Sequence, residues 1–191
     1  MSLNKKERYM GRPLRTRIDF AKTLSWYDFF HNQLIAFGKI KNDFGLAKLL
    51  CKDTEKSHES NLFKKYKFGL STPQQEWIDI IDSKCIGSSN IINHSIWKNL
   101  KYRTTEEKLI LIELNNLPNY IFENLIINGH IKDFNKSDLE KLAQYGSLDS
   151  LCALYLLHQW GYSIGSTSLV NDCCSFIINT LELLLKRHDY L

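Results

Sequence analysis

Apolar residues along this chain recur at threes and fours and almost never at twos, a spacing that restricts the fold to packed helices. Leu24, Tyr27, Phe30, Leu34 and Phe37 mark one face of "TLSWYDFFHNQLIAFG", a helix predicted to stop near Gly38. "DFGLAKLLCK" gives a second, shorter one. Helix-start chemistry punctuates the remainder. Thr72 as N-cap, with Pro73 and Gln75 behind it, opens "STPQQEWIDIID"; Thr104 and Glu107 open "EEKLILIEL". Ser137 and Glu140 open "DLEKLAQY", which Gly146 closes, and Ser147 caps "LDSLCALYLLHQW", which Gly161 closes. The last run, "SLVNDCCSFIINTLELLLKRH", ends on Lys186, Arg187 and His188, where cations suit the helix dipole. "NIINHSI" is the one short strand candidate. The expectation is an all-α protein.

Charge divides the chain. Residues 1–103 hold 19 Lys and Arg against 10 Asp and Glu, whereas residues 104–191 hold 6 against 11. The sign changes at "KNLKYRTT", where a capping box also begins. Three regions follow: a basic N-terminal arm (1–22), a basic helical module (23–103) and an acidic helical module (104–191). A basic front and an acidic back predict different partners for the two halves.

Within the basic module, "KKYKFGLSTPQQEWIDII" (64–81) raises the question of function. Upstream, Leu46, Ala47 and Leu50 of "GLAKLL" can pack inward on a short helix. Leu62, Phe63 and Tyr66 of "SHESNLFKKYKFG" form the inner face of a second, which leaves Lys64, Lys65 and Lys67 outward. His58, Ser60 and Asn61 lie near its start, where a DNA-reading helix meets base edges. Gly69 ends that helix, and Trp77, Ile78 and Ile81 pack the next one behind it.

The run "YKFGLSTP" followed by Ile81, with "LAKLL" upstream, resembles the Cro/repressor-type helix-turn-helix family over about residues 43–82. The resemblance implies that Gly69 closes a recognition helix and that Pro73 begins the next. It also implies binding of duplex DNA. The sequence departs from that family in "LLCKDTEKSHES", which is longer than the tight turn between the two helices. The chain is thus expected to place a helix-turn-helix-like module before a C-terminal helical bundle. In the arm, "GRPLRTR" carries Arg12, Arg15 and Arg17, and its Gly-Arg-Pro resembles the core of an AT-hook that enters the minor groove. "CIGSSNIINHSIW" is similar to bacterial proteins with a Gly-Ser/Thr followed by His-x-x-Trp, a likeness that implies no activity.

Enzymatic constellations are missing from the sequence. The six histidines form neither H-E-x-x-H nor H-x-x-x-H, and no glycine-rich phosphate loop occurs. No catalytic residue, cofactor or metal is expected. The five cysteines are odd in number and sit in apolar contexts such as "LCALYLL", so they read as reduced structural residues in a cytoplasmic protein. No apolar run approaches the ~18 residues of a membrane span. Leu169, Val170, Cys173, Cys174, Phe176, Ile177, Ile178, Leu181, Leu183, Leu184 and Leu185 make the last helix apolar on most sides, so a homodimer through 168–188 is expected, the alternative being the central helix of a monomeric bundle.

The leading expectation is a DNA-binding regulatory or mobile-element accessory protein. It contacts DNA through Arg12, Arg15, Arg17, His58, Ser60, Asn61, Lys64, Lys65 and Lys67. A non-enzymatic scaffold whose basic half binds an acidic protein is the alternative, and an effector domain of another type is the third.

Overall fold

The computed structural model describes residues 15–51 and 60–189. The protein is all-α, with eleven helical segments and one two-stranded ribbon among the described residues.

Five helices build the N-terminal half: α1 (Arg17–Ala36), α2 (Asp43–Cys51), α3 (Ser60–Lys67), α4 (Gln75–Lys84) and α5 (Ser88–Ile92). Helix α1 begins earlier than its apolar spacing foretold. Thr16 caps it: its hydroxyl accepts from the Asp19 N–H at 3.1 Å, and the Asp19 carboxylate accepts from the Thr16 N–H at 3.1 Å. Residues 17–22 therefore belong to a helix, and of the described part of the expected arm only Arg15 and Thr16 lie outside it. The apolar faces meet in one buried cluster that includes Trp26, Phe30, Leu46, Phe63, Tyr66, Trp77 and Ile81. Its rings interlock edge to face, with centroids 4.8 Å apart for Trp26–Phe30 and 5.0 Å for Phe63–Trp77. Such pairs add about 0.5–1.5 kcal/mol each beyond the area they bury.

The C-terminal half holds α6 (Ser95–Lys101), α7 (Glu107–Asn115), α8 (Asn119–Phe122), α9 (Lys136–Gln144), α10 (Leu148–Ser163) and α11 (Thr167–Asp189). Helix α10 is buried along most of its length, and α6 to α9 and α11 pack around it. The two buried clusters divide between Ile92 and Ile96, so α6 packs with the C-terminal cluster. The charge boundary at 103/104 lies one helix further on. Between α8 and α9, β1 (Ile126–Ile127) pairs antiparallel with β2 (His130–Ile131). The turn is Asn128-Gly129, both with positive φ (53° and 79°), the backbone that a two-residue hairpin requires.

Several helix starts differ from the sequence expectation. Thr72 does not cap α4: Pro73 is buried, and the helix starts beyond it, from Gln74, with no side-chain cap. Helix α7 starts from Glu106 instead of Thr104, and α9 starts earlier than Ser137 because Asn135 forms a capping box with Asp138. Ser147 caps α10 as expected, its hydroxyl accepting from the Ser150 N–H. "NIINHSI" is not a strand but spans the end of α5 and the start of α6, with Asn93 and His94 between them. Gly161 does not close α10 but lies inside it, where a Cβ would come 3.0 Å from Val170 Cγ2 of α11. The glycine lets the two longest C-terminal helices approach closely.

Candidate nucleic-acid interface

Helix α3 buries Phe63 and Tyr66 against α1 and α4 and leaves Asn61, Lys64, Lys65 and Lys67 exposed. This division follows from helical spacing: positions 63 and 66 share a face that the 64/65/68 positions do not. The helix ends in a Schellman motif, with the Gly69 N–H donating to the Tyr66 carbonyl at 2.9 Å and the Leu70 N–H to the Lys65 carbonyl at 2.7 Å.

Arg15 docks on that end. Its guanidinium donates to the Gly69 carbonyl, to the Asp19 carbonyl at 2.9 Å and to Thr23 Oγ1 at 2.8 Å. The start of α1 is thereby tied to the C-terminal end of α3. Arg15, the first described residue, thus lies beside the end of α3, and the sequence before it carries Lys5, Lys6, Arg8 and Arg12 against Glu7 alone. Arg17 is exposed on the first turn of α1.

The three lysines of α3 are not equivalent. Lys67 donates to Asp43 Oδ2 at 2.6 Å, and the same carboxylate accepts from the Tyr27 hydroxyl at 3.1 Å and lies 2.9 Å from His31 Nε2. The Lys67 hydrogen bond holds the Asp43 carboxyl below its usual range, with burial opposing and Tyr27 assisting. Asp43 thus links α1, α2 and α3, and Lys67 spends its charge on that link. Among the described residues no ion pair engages Lys64 or Lys65.

Of the residues expected to contact DNA, the structure brings together Arg15, Asn61, Lys64 and Lys65 around one helix and its end. Arg15 does so through the backbone of Gly69 and not as a free cation. Ser60 is the first residue of α3, and Arg12 and His58 lie outside the described residues. The sequence reading missed two neighbours: Phe68 is 51% and Leu70 67% exposed, and both line a shallow 330 Å³ depression with Asn61, Lys64 and Lys65. Their signal was in "KFGL", two apolar residues flanking a glycine that forces them off the helix.

Elsewhere, no cluster of three His, Cys, Asp or Glu side chains occurs among the described residues. No described helix is long and apolar enough to cross a membrane. Comparison with protein-family models, with curated proteins and with solved structures finds no match to this chain.

Proposed function

We propose that this chain is a DNA-binding regulatory or mobile-element accessory protein that reads duplex DNA with α3 and neighbouring basic residues. One observation carries the reading. An outward basic face on a short helix, backed by aromatic residues, lies beside Arg15, which a strongly basic stretch of sequence precedes. That combination suits a recognition helix with a flanking arm. Asn61 offers a bidentate edge for a base, whereas Lys64 and Lys65 suit phosphates. The reduced cysteines fit a cytoplasmic role, and Cys85, Cys152, Cys173 and Cys174 are free thiols.

Each phosphate contact releases condensed counterion, so log K falls with log[salt] by about 0.9 per contact. The joint replacement Lys64→Gln, Lys65→Gln is expected to reduce that slope by about 2 units. Fluorescence anisotropy with labelled duplex DNA at several salt concentrations reads it. An unchanged slope, or no binding by the wild type at low salt, rejects the proposal.

Phe68 and Leu70 favour a second reading, an acidic protein partner, because exposed apolar residues flanked by cations are typical of protein interfaces. Phe68→Ser separates the two: it leaves phosphate contacts intact and removes the apolar anchor of a protein interface.

A further inference from the structure

The most exposed large apolar side chains among the described residues are Ile86 at 87%, Phe44 at 79% and Phe37 at 69%, and all three belong to one end of the N-terminal half. Local structure puts them there. Phe37 ends α1, and Gly38 turns the chain at φ +66°. Ile40 is buried behind that turn, which leaves Lys39 and Lys41 exposed on either side of it. On α2, Leu46 and Leu50 face the core, so Phe44 and Lys48, four residues apart, share the outer face.

Lys39 ties the three together. Its ammonium lies 5.9 Å from the centroid of the Phe37 ring and donates at 2.7 Å to the carbonyl of Lys84, just before Ile86. The Cys85 thiol donates to Gln33 Oε1 at 3.3 Å, which holds the same turn against α1 close to Phe37. With Phe44, Lys41 and Lys48, Lys39 also lines a shallow depression of 470 Å³ beside α2. No carboxylate lines it. The acids nearby in sequence are engaged elsewhere, Asp43 with Tyr27 and Lys67, and Asp82 with the Ser88 hydroxyl and the Ser89 N–H. Among the described residues no ion pair engages Lys41 or Lys48. Three protruding apolar groups thus surround an uncompensated positive charge.

We propose that this end of the N-terminal half docks on an anionic lipid bilayer, with Phe37, Phe44 and Ile86 entering the head-group region and Lys39, Lys41 and Lys48 at the lipid phosphates. Charge and shape choose the occupant. A bilayer surface carries anions directly above an apolar layer, and lysine stems lie along the apolar part while their ammonium groups stay at the phosphates. Nucleic acid supplies the anions without the apolar layer. Ile86 has no ring on which a base can stack, and the Phe37 ring already carries the Lys39 ammonium. A folded acidic protein would have to offer a separate pocket to each of three side chains set on two turns and a helix, whereas lipid admits them without one. The inference does not rest on DNA binding, since Lys64 and Lys65 take no part in it.

Co-sedimentation of the full chain with vesicles is the experiment, comparing phosphatidylcholine alone with an equimolar mixture of phosphatidylcholine and phosphatidylglycerol. Binding to the mixed vesicles is expected to be about tenfold or more tighter than to phosphatidylcholine. Phe37→Ser, Phe44→Ser and Ile86→Ser should each weaken it by about tenfold, and Lys41→Gln and Lys48→Gln each by about fivefold. All five positions are exposed, so the circular dichroism spectrum and Tm should stay those of wild type. Ile127→Ser, at an exposed apolar residue of the C-terminal hairpin, should bind as wild type does. The native tryptophans are buried or partly buried, so in Phe44→Trp the new indole should be the one quenched by lipid brominated near the carboxyl end of its chains. Equal binding to both kinds of vesicle overturns the role of the lysines, and an unquenched Phe44→Trp overturns insertion. Vesicle binding undiminished in the three serine variants overturns the surface as the site, and their loss of affinity for a mixed-sequence oligonucleotide would then assign it to nucleic acid. Absence of binding to the mixed vesicles overturns the proposal outright.

Discussion

Gly69 sits at φ +59° where α3 ends, and the Arg15 guanidinium and the Phe20 ring both press against it. A Cβ built there would lie 2.6 Å from Phe20 Cδ2. The ring is 44% exposed and can swing away, so the lasting cost of a side chain is the left-handed backbone. Gly69→Ala is therefore expected to lower stability by about 1–2 kcal/mol. Urea denaturation measures the loss. Adding Phe20→Ala should recover only a minor part, and full recovery would show that the clash, not the backbone, dominates. Gly69 was legible in the sequence as a helix stop, because glycine after a lysine-rich amphipathic run marks that position. Its second role was not: nothing local in "YKFGL" announces that Phe20, 49 positions away in "RIDF", packs on it.

At the scale of elements, Asp149 at the start of α10 joins three helices. Its Oδ1 lies 3.0 Å from His94 Nε2 at the cap of α6, and its Oδ2 accepts from the Tyr120 hydroxyl of α8 at 2.7 Å. The other His94 nitrogen, Nδ1, accepts from the Ile96 N–H at 3.1 Å, which leaves Nε2 as the donor toward Asp149. The hydrogen bond from His94 holds the Asp149 carboxyl below its ordinary 3.8, against the opposing effect of burial. A carboxyl whose folded pKa lies below the unfolded value stabilises the fold above the unfolded value and loses that contribution as pH falls through the folded one. Stability is thus expected to drop below about pH 4 more steeply in wild type than in Asp149→Asn. Denaturation midpoints between about pH 6 and 2.5 test it, and parallel curves would reject the link. Most helices here were legible from spacing, because their apolar faces are long enough to declare a period. The His94 cap was hidden in "NIINHSI", whose alternation over a few residues imitates a strand. The hairpin was missed although Asn128-Gly129 between isoleucines is its strongest short-range signal.

For the whole molecule, charge asymmetry was legible and the position of the core boundary was not, because α6 is basic in sequence yet apolar toward α10. The candidate interface was half legible: spacing gave the outward Lys64 and Lys65, but the pairing of Lys67 with Asp43 depends on how α2 lies on α3. The proposed dimer turns on the same kind of distinction along α11. Leu169, Cys173 and Phe176 are buried against the bundle, and Leu184 packs on it partly buried, whereas Cys174, Ile178 and Leu181 are exposed. These three stand at spacings of four and three, the repeat by which two helices form a seam. Such a stripe is self-complementary, so in the proposed dimer a second copy of α11 would cover it with matching knobs. A substitution at Leu184 would damage the fold as well as any seam, and Ile178 at 58% exposure is the discriminating position. Ile178→Glu is expected to convert a dimer into a monomer with an unchanged melting temperature at concentrations where the wild type is itself monomeric. Phe176→Glu, at 6% exposure, should instead destabilise the bundle by about 3 kcal/mol or more, because it places a charge in the core. Sedimentation equilibrium from micromolar to hundreds of micromolar protein reads the first outcome and thermal melting the second. A wild type that stays monomeric across that range rejects the dimer, and dimerisation undiminished in Ile178→Glu moves the seam off this face of α11.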